Sequence, residues 1–269
     1  MKQACYSGTA GLQLAVSHIA NHPGSRALVV ASDIAKYGLH SGGEPTQGAG
    51  AVAMLVKENP RIAIVDPDSV SMSRDIMDFW KPNYLEYPEV KGQYSSMQYL
   101  DVLSKVWEEY QKRHEVTVDD FEAFIFHLPF TKLGEKGLRK VMKGVSDEKK
   151  ADLKEHYEHT RELSKNVGNI YTGSLFLGFL SSLINDPHLS AGDRIGAFSY
   201  GSAALLPRLF RLHGGALEPQ PGSAHAGPAA GAPPLQHPRG GLNSRALLPQ
   251  DQRHQHGAQP GLGGPLPQR

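Results

Sequence analysis

Cys5, the single cysteine of the chain, stands in KQACYSGTAGLQLAV, with a small, Gly-rich turn and an apolar run behind it. That setting predicts a thiolate at a helix N-terminus, stabilised by unsatisfied backbone N–H groups and the helix dipole. Attack of such a thiolate on a thioester gives an acyl-enzyme. The small residues Ser7, Gly8, Thr9 and Ala10 leave room for a carbonyl to approach. The competing reading is a core cysteine, since cysteine is among the most buried residue types. His127 closes the apolar run AFIFH, ahead of Leu128-Pro129-Phe130-Thr131-Lys132. The C-terminal end of a buried strand is where α/β proteins place ligands and catalysis; a hydrogen-bonded structural histidine is the alternative. Lys132 reads as a surface lysine or as a contact to an anionic ligand. Asn169, in NVGNIYTGS, is either part of a turn leading to a helix or an amide that donates to a developing oxyanion. The glycine of SYGS, Gly201, permits close backbone approach.

Positioning these residues needs strands and helices in alternation. Residues 8–20 have helical periodicity and are stopped by Asn21-His22-Pro23-Gly24. Residues 26–32, 48–56 and 61–65 read as short buried strands, and residues 95–113 as an amphipathic helix. Thr117-Val118-Asp119-Asp120 resembles a helix start, and residues 123–126 a buried strand. The charged residues 147–165 read as a helix with a solvated face. Residues 173–184 form another apolar helix and residues 194–199 another strand. The alternation predicts an α/β layered domain.

Composition narrows the partners. The chain of 269 residues has a formal net charge of +1, so nothing points to nucleic acid or to a membrane surface. No stretch reaches the roughly 18 apolar residues of a membrane span, the N-terminus lacks a signal-peptide layout, and one cysteine excludes an internal disulfide. A cytoplasmic location is expected. The Gly-rich loop of residues 42–50 lacks the spacing of a phosphate-binding loop, and no group of residues has metal-ligand spacing. After residue 202 the composition breaks: residues 203–269 contain no Val, Ile, Lys, Thr, Tyr, Trp or Met and are crowded with Pro, Gly, Ala, Arg, His and Gln. Such a segment is expected to be disordered, either as a natural tail or through out-of-frame translation.

Seven motifs, KQACYSGTAGL, ASDIAKYGL, SGGEPTQGAGAVAML, DFWKP, FHLPFTKLG, NVGNIYTGSL and DRIGAFSYGS, occur in order up to residue 202. Together they resemble the hydroxymethylglutaryl-CoA synthases of bacterial type, within the thiolase-like condensing enzymes. The resemblance implies a thiolase-like layered α-β-α fold that is incomplete, with most of the first half missing. Residues 1–57 would be a remnant of the N-terminal half, residues 58–202 the C-terminal half, and residues 203–269 an aberrant tail. It implies that Cys5 is acetylated by acetyl-CoA, that the acetyl enolate attacks acetoacetyl-CoA, and that hydrolysis releases HMG-CoA for the mevalonate pathway. His127 would bind and polarise acetoacetyl-CoA, and Asn169 would be the site asparagine with Tyr171 beside it. Ser199 and Gly201 would line the site, Lys132 would meet coenzyme A phosphates, and Asp33 and Asp78 would sit in acidic site motifs or serve as buried structural carboxylates. No cofactor or metal is implied, coenzyme A arriving with the substrates, and a homodimer is. The family's general acid/base glutamate precedes the nucleophile, and no residue here inherits that role. The alternatives are an inactive fragment of such an enzyme and a ketosynthase-type condensing enzyme. The chain is also expected to expose apolar faces.

Overall fold

The computed structural model describes residues 3–201 and 204–212, which belong to one compact unit. Helix α1 (Ser7–Asn21) is followed by β1 (Arg26–Ala35) and β2 (Gly48–Lys57), which pair antiparallel with Arg26 opposite Lys57 and Ala35 opposite Gly48. Then come β3 (Ala63–Ser69), β4 (Met72–Ser73), and the small hairpin of β5 (Phe79–Trp80) and β6 (Glu89–Val90). Helix α2 (Gly92–His114), β7 (Ala123–Phe126), α3 (Thr131–Val141), α4 (Asp147–Val167), α5 (Ser174–Asn185), β8 (Arg194–Gly201) and β9 (Ala204–Leu212) complete the described chain. The main sheet has the order β3-β9-β8-β7, with β4 also pairing with β9. Strands β7 and β8 run parallel, Ala123 opposite Ile195 and Phe126 opposite Phe198.

The period-2 alternation of β7 and β8 divides the core into two layers. Phe124, Phe126, Phe198 and Tyr200 face one side, against Tyr99, Val102 and Val106 of α2, Leu133 and Leu138 of α3, and Leu153 and Tyr157 of α4. Ala123, Ile125, Ile195 and Ala197 face the other, against Leu12 of α1 and Leu175 and Phe176 of α5, with Ala31 of β1 beyond. Helices α1 and α5 therefore lie between the main sheet and the β1–β2 pair. This is the α/β layering expected from the alternation of elements.

Three expectations need correction, and one helix, α3, stands where none was expected. Residues 117–120 do not open an α-helix. A capping box between Thr117 and Asp120 closes a single 3-10 turn over Val118–Asp120, and the chain then enters β7. Strand β1 is not buried on both faces, because Leu28, Val30 and Ile34, with Leu55 of β2, are exposed on the face away from α1; the expected exposed apolar face is there. Helix α3 carries Gly134 and Gly137, which weaken the helical pattern. Both are places of close approach: a Cβ on Gly134 would stand 2.2 Å from the Tyr157 hydroxyl oxygen, and one on Gly137 3.1 Å from a Leu103 methyl. Finally, order does not stop at residue 202. Residues 204–212 pair antiparallel with β8, Gly201 opposite Ala204 and Arg194 opposite Arg211. The composition average over the whole tail hides the leucine-rich ALLPRLFRL at its start. The remainder of the tail lies outside the described residues.

The charged helix α4 has more than a solvated face. His156 is buried and its Nδ1 lies 2.7 Å from Oδ2 of buried Asp186, just past α5. The Asp186 bond raises the His156 pKa above its ordinary 6.5 against the effect of burial, and the nearby Asp152 and Glu122 charges add to this. Burial of Asp186 works the other way, but its bonds to His156 and to the His188 N–H hold its carboxyl below 3.8. Glu122, Asp152 and His156 have the proximity of a metal site. The Lys149 ammonium already stands 2.9 Å from Asp152 and 3.6 Å from Glu122 and supplies the compensating charge. The contribution of His156 to stability is complete below pH 6.5 and is lost as pH rises through its raised folded value, while that of Asp186 is complete above pH 3.8. His156→Leu leaves the buried carboxylate without its partner and should lower stability by about 3 kcal/mol. Denaturant melts across neutral pH should also show that the variant has lost the alkaline decline of the parent chain; an unchanged slope assigns that decline to other groups.

Candidate active site

A cavity of about 910 Å³ opens among β1's end, the loop of residues 85–90, the first turn of α2, and the segment after β7, and its lining includes Cys5, His127, Asn169 and Tyr171. Each of the three candidate chemical groups is delivered by backbone clamping. The turn before α1 is closed by hydrogen bonds from Tyr6 N to the Gln3 carbonyl and from Ser7 N to the Ala4 carbonyl. This turn rests on β8: a Cβ on Gly201 would stand 2.6 Å from Tyr6 N and 3.0 Å from the Gln3 carbonyl oxygen. Gly201 is thus a seat for the nucleophile turn. Ser199 serves the same junction, its buried hydroxyl accepting from Thr9 Oγ1 at 2.8 Å, and it is not among the lining residues.

His127 continues β7 by one step. Its N–H donates to the Phe198 carbonyl at 2.8 Å and its carbonyl accepts from the Tyr99 hydroxyl at 2.9 Å. Tyr157 fixes the next segment by donating to the Thr131 carbonyl at 2.7 Å, the approach that Gly134 permits. Asn169 is placed by Gly168, at φ +81°, where a Cβ would stand 2.1 Å from the Gln47 carbonyl oxygen. Asn169 N donates to the Thr46 carbonyl at 3.1 Å. Its Oδ1 accepts from Tyr171 N and from Ser174 Oγ, both at 2.9 Å. With Oδ1 so engaged, the amide presents Nδ2 as its donor to the cavity it lines.

Burial favours the neutral forms of Cys5 and His127. It pushes the Cys5 thiol up to about 12, helped by the negative charge of Asp33 and, more weakly, of Asp78. This direction is opposite to the low-pKa thiolate expected: Cys5 stands two residues ahead of Ser7, the first residue of α1, and burial works against its charged form. Burial likewise pushes His127 down to about 3, leaving a neutral, weakly basic imidazole. Ala4, directly before Cys5, has φ +46°, and Tyr171 has φ +39°. Both are non-glycine residues in the left-handed region, a strain found where surrounding structure over-determines a site.

The other candidates fall differently. Asp33 lies on β1 opposite Gly50 and acts on the cavity through its field. Asp78 is fully buried and does not line the cavity. Its Oδ2 accepts from the Tyr200 hydroxyl at 2.6 Å and from Ser95 Oγ at 2.9 Å, and both of those residues do line it. Lys132 is exposed in the first turn of α3 and is not a lining residue. Sequence reasoning passed over Tyr37, Phe79 and Tyr200. Their signal was present in the quoted motifs AKYGL, DFWKP and SYGS, but no chemistry in the residue type marked them. The Gly-rich loop also lines the cavity, at Gly42 and Gly43.

Comparison with known proteins agrees with this arrangement. Residues 1–61 match the model for the N-terminal part of hydroxymethylglutaryl-coenzyme A synthase, and residues 68–158 and 139–213 match that for its C-terminal part. The chain belongs to the hydroxymethylglutaryl-CoA synthase family. Its fold is the thiolase-like α/β fold of that family. The hydroxymethylglutaryl-CoA synthase of Enterococcus faecalis is 49% identical over 205 residues, covering 76% of this chain and 54% of the relative. The polyketide biosynthesis 3-hydroxy-3-methylglutaryl-ACP synthase PksG of Bacillus subtilis is 36% identical over 224 residues, covering 75% of this chain and 52% of the relative. A crystal structure of HMG-CoA synthase complexed with CoA superposes with a TM-score of 0.78 at 53% identity, covering 81% of this chain and 57% of that one. The chain spans about half the length of the curated relatives it matches. Among the described residues, no helix is long and apolar enough to cross a membrane.

Two outcomes follow from the site. Alkylation of Cys5 by iodoacetamide should keep rising about tenfold per pH unit through the alkaline range, without the plateau of a low-pKa thiolate; a plateau near neutrality would overturn the burial argument. Gly201→Ala should cost about 1–3 kcal/mol and change the alkylation rate of Cys5 more than Gly178→Ala, where the nearest atom to a Cβ lies at an ordinary 3.5 Å. Melting curves and mass spectra of the two variants check this.

Proposed function

We propose that this chain carries the acyl-accepting part of a hydroxymethylglutaryl-CoA synthase reaction, with acetyl-CoA and acetoacetyl-CoA as its thioester substrates. The observation that carries the reading is that Cys5, His127 and Asn169 line one cavity, each clamped by backbone contacts. In the first step Cys5 Sγ forms a bond to the acetyl carbon, the carbon–sulfur bond of acetyl-CoA breaks, and coenzyme A leaves as its thiol. Because burial holds the Cys5 thiol protonated, its proton must leave as the bond forms, and it departs with the coenzyme A thiol; burial leaves the His127 imidazole neutral and weakly basic, which suits it to bind and polarise a carbonyl oxygen through its N–H. In the second step the acetyl enolate adds to the ketone of acetoacetyl-CoA. The Asn169 amide and the N–H of the neutral His127 imidazole suit the oxygen on which charge develops. Hydrolysis of the Cys5 thioester then releases HMG-CoA. Substrates supply the coenzyme A, and the reading needs no cofactor; a cytoplasmic location and a homodimer accord with it.

Enolate formation and its reversal also call for an acid/base group. Among the described residues, the carboxylates that line the cavity are Glu86 and Glu89, both exposed. The reading therefore separates the two half-reactions: the chain acquires acetyl on Cys5 faster than it condenses. Incubation with labelled acetyl-CoA and intact-mass analysis tests this, and Cys5→Ala should carry no label. Absence of label on the parent chain defeats the acyl-acceptor reading, and condensation as fast as acetylation defeats the separation of the steps.

A further inference from the structure

We propose that Tyr37 sets the size of the acyl group that Cys5 can carry. The proposal rests on the reading of Cys5 as an acyl acceptor and names the selectivity of that same site. Tyr37, Phe79 and Tyr171 come from three separate segments and form an aromatic triangle. Tyr37 meets Phe79 edge-on at 6.4 Å between ring centroids and Tyr171 edge-on at 6.5 Å, and Phe79 lies 5.8 Å from Tyr171. All three rings line the cavity with Cys5. Tyr171 stands beside the site amide, its N–H donating to Asn169 Oδ1 at 2.9 Å. The opposite end opens past Glu86, Glu89 and Val90, which are exposed, and leaves room there for a carrier.

Tyr37 is held as a wall, and three contacts fix it. A Cβ on Gly43 would stand 2.9 Å from Tyr37 Cγ, so the Gly-rich loop lies flat on the ring. The Tyr37 N–H donates to Gln47 Oε1 at 2.7 Å. The third contact is the edge-on packing against Phe79 and Tyr171. A ring pinned from behind, at its backbone and along its edge resists swinging aside for a longer chain, and close-packed interiors resist even one added methylene. An acetyl group ends at its methyl; a longer acyl group on Cys5 extends further into the cavity that the triangle walls. The acyl step itself is ordinary transfer: the new Cys5 carbon–sulfur bond forms, the thioester bond breaks, and the carrier leaves as the thiol with the Cys5 proton.

The test uses the full chain and the fact that Cys5 is its one cysteine, so any added mass on sulfur reports this site. Acetyl-CoA and butyryl-CoA compete in one tube, and the ratio of the two labels is read by mass. A parallel pair, methyl and propyl methanethiosulfonate, transfers alkylthio groups to the same sulfur with loss of methanesulfinate and needs no acyl-transfer machinery. Tyr37→Ala should raise the long-to-short ratio about tenfold or more in both assays. Tyr37→Phe should keep the parent ratio, and Tyr37→Trp should lower it, a change that loss of structure cannot mimic. A Tyr37→Ala ratio within about twofold of the parent, in chain that keeps a cooperative thermal transition, overturns the proposal. If Tyr37→Ala does not fold, an unchanged ratio in Tyr37→Trp overturns it. If neither thioester labels any chain while the alkylthio ratio shifts, the wall stands and the acyl-acceptor reading falls.

Discussion

The seating of the Gln3–Tyr6 turn on Gly201, tied by the Thr9 to Ser199 hydrogen bond one turn into α1, is the constraint on which the site depends. It locks α1 to β8. Strand β8 pairs in register with β7, and adjacent strands stand about 4.8 Å apart. The nucleophile turn and the residue that follows β7 are therefore fixed relative to one another through a rigid sheet. Any side chain at residue 201 would push the turn off the strand and move Cys5 with it. The same device recurs at Gly168, which brings Asn169 against the start of β2, and at Gly134, which lets Tyr157 fix the start of α3. Three functional side chains arrive from three parts of the chain: for Cys5 and Asn169 a missing Cβ allows the approach, and His127 is held by its bonds to the Phe198 carbonyl and the Tyr99 hydroxyl.

The electrostatics follow from the same packing. A cavity wall of aromatic rings and buried strand ends offers little solvation, so Cys5 and His127 both move toward their neutral forms. Cys5 moves up and His127 moves down for one shared reason. Asp78 is buried as well, and two hydroxyl donors converge on its Oδ2, from β8 and from α2. The carboxyl therefore ties the start of the β5–β6 hairpin to two walls of the cavity and orients Tyr200. A neutral thiol and imidazole suit a thioester, whose reacting atoms are themselves uncharged until attack begins; polarity is then supplied by groups already in place where charge develops.

Much of this was legible in the sequence, and the reasons differ from residue to residue. His127 was legible because a strand end is a place defined by local pattern: AFIFH announces both the strand and its terminus. Cys5 was legible by type and its state was not, since burial comes from distant elements that no local window contains. Helix α3 was hidden by the glycines that make it useful. Strand β9 was hidden by averaging a leucine-rich start with the Pro/Gly-rich sequence after it. Tyr37 and Phe79 were unreadable as a pair because their relation exists only when the end of β1 and the hairpin at residue 79 meet over Tyr171. The Gly-rich loop was not read as a phosphate cradle, and its contact in the structure, lying against the Tyr37 ring, leaves no motif.

The distribution of clamps around the cavity also separates what is rigid from what can adapt. The segments of Cys5, His127, Asn169 and Tyr37 are each held by close contacts or hydrogen bonds from other parts of the chain. The loop of residues 81–91 is held differently. Its base is pinned where Lys91 N donates to the Asp78 carbonyl at 3.0 Å, and its outer part leans on surface contacts such as the Lys36 ammonium over the Tyr87 ring at 5.7 Å. Exposed cation–π contacts are worth only about 0.5–1 kcal/mol, far less than a buried backbone seat. Thioester chemistry needs an acyl group held to within a fraction of an ångström, yet a carrier many times larger must enter and leave. The structure meets both demands by placing its stiff contacts at the cysteine and its weak ones at the mouth.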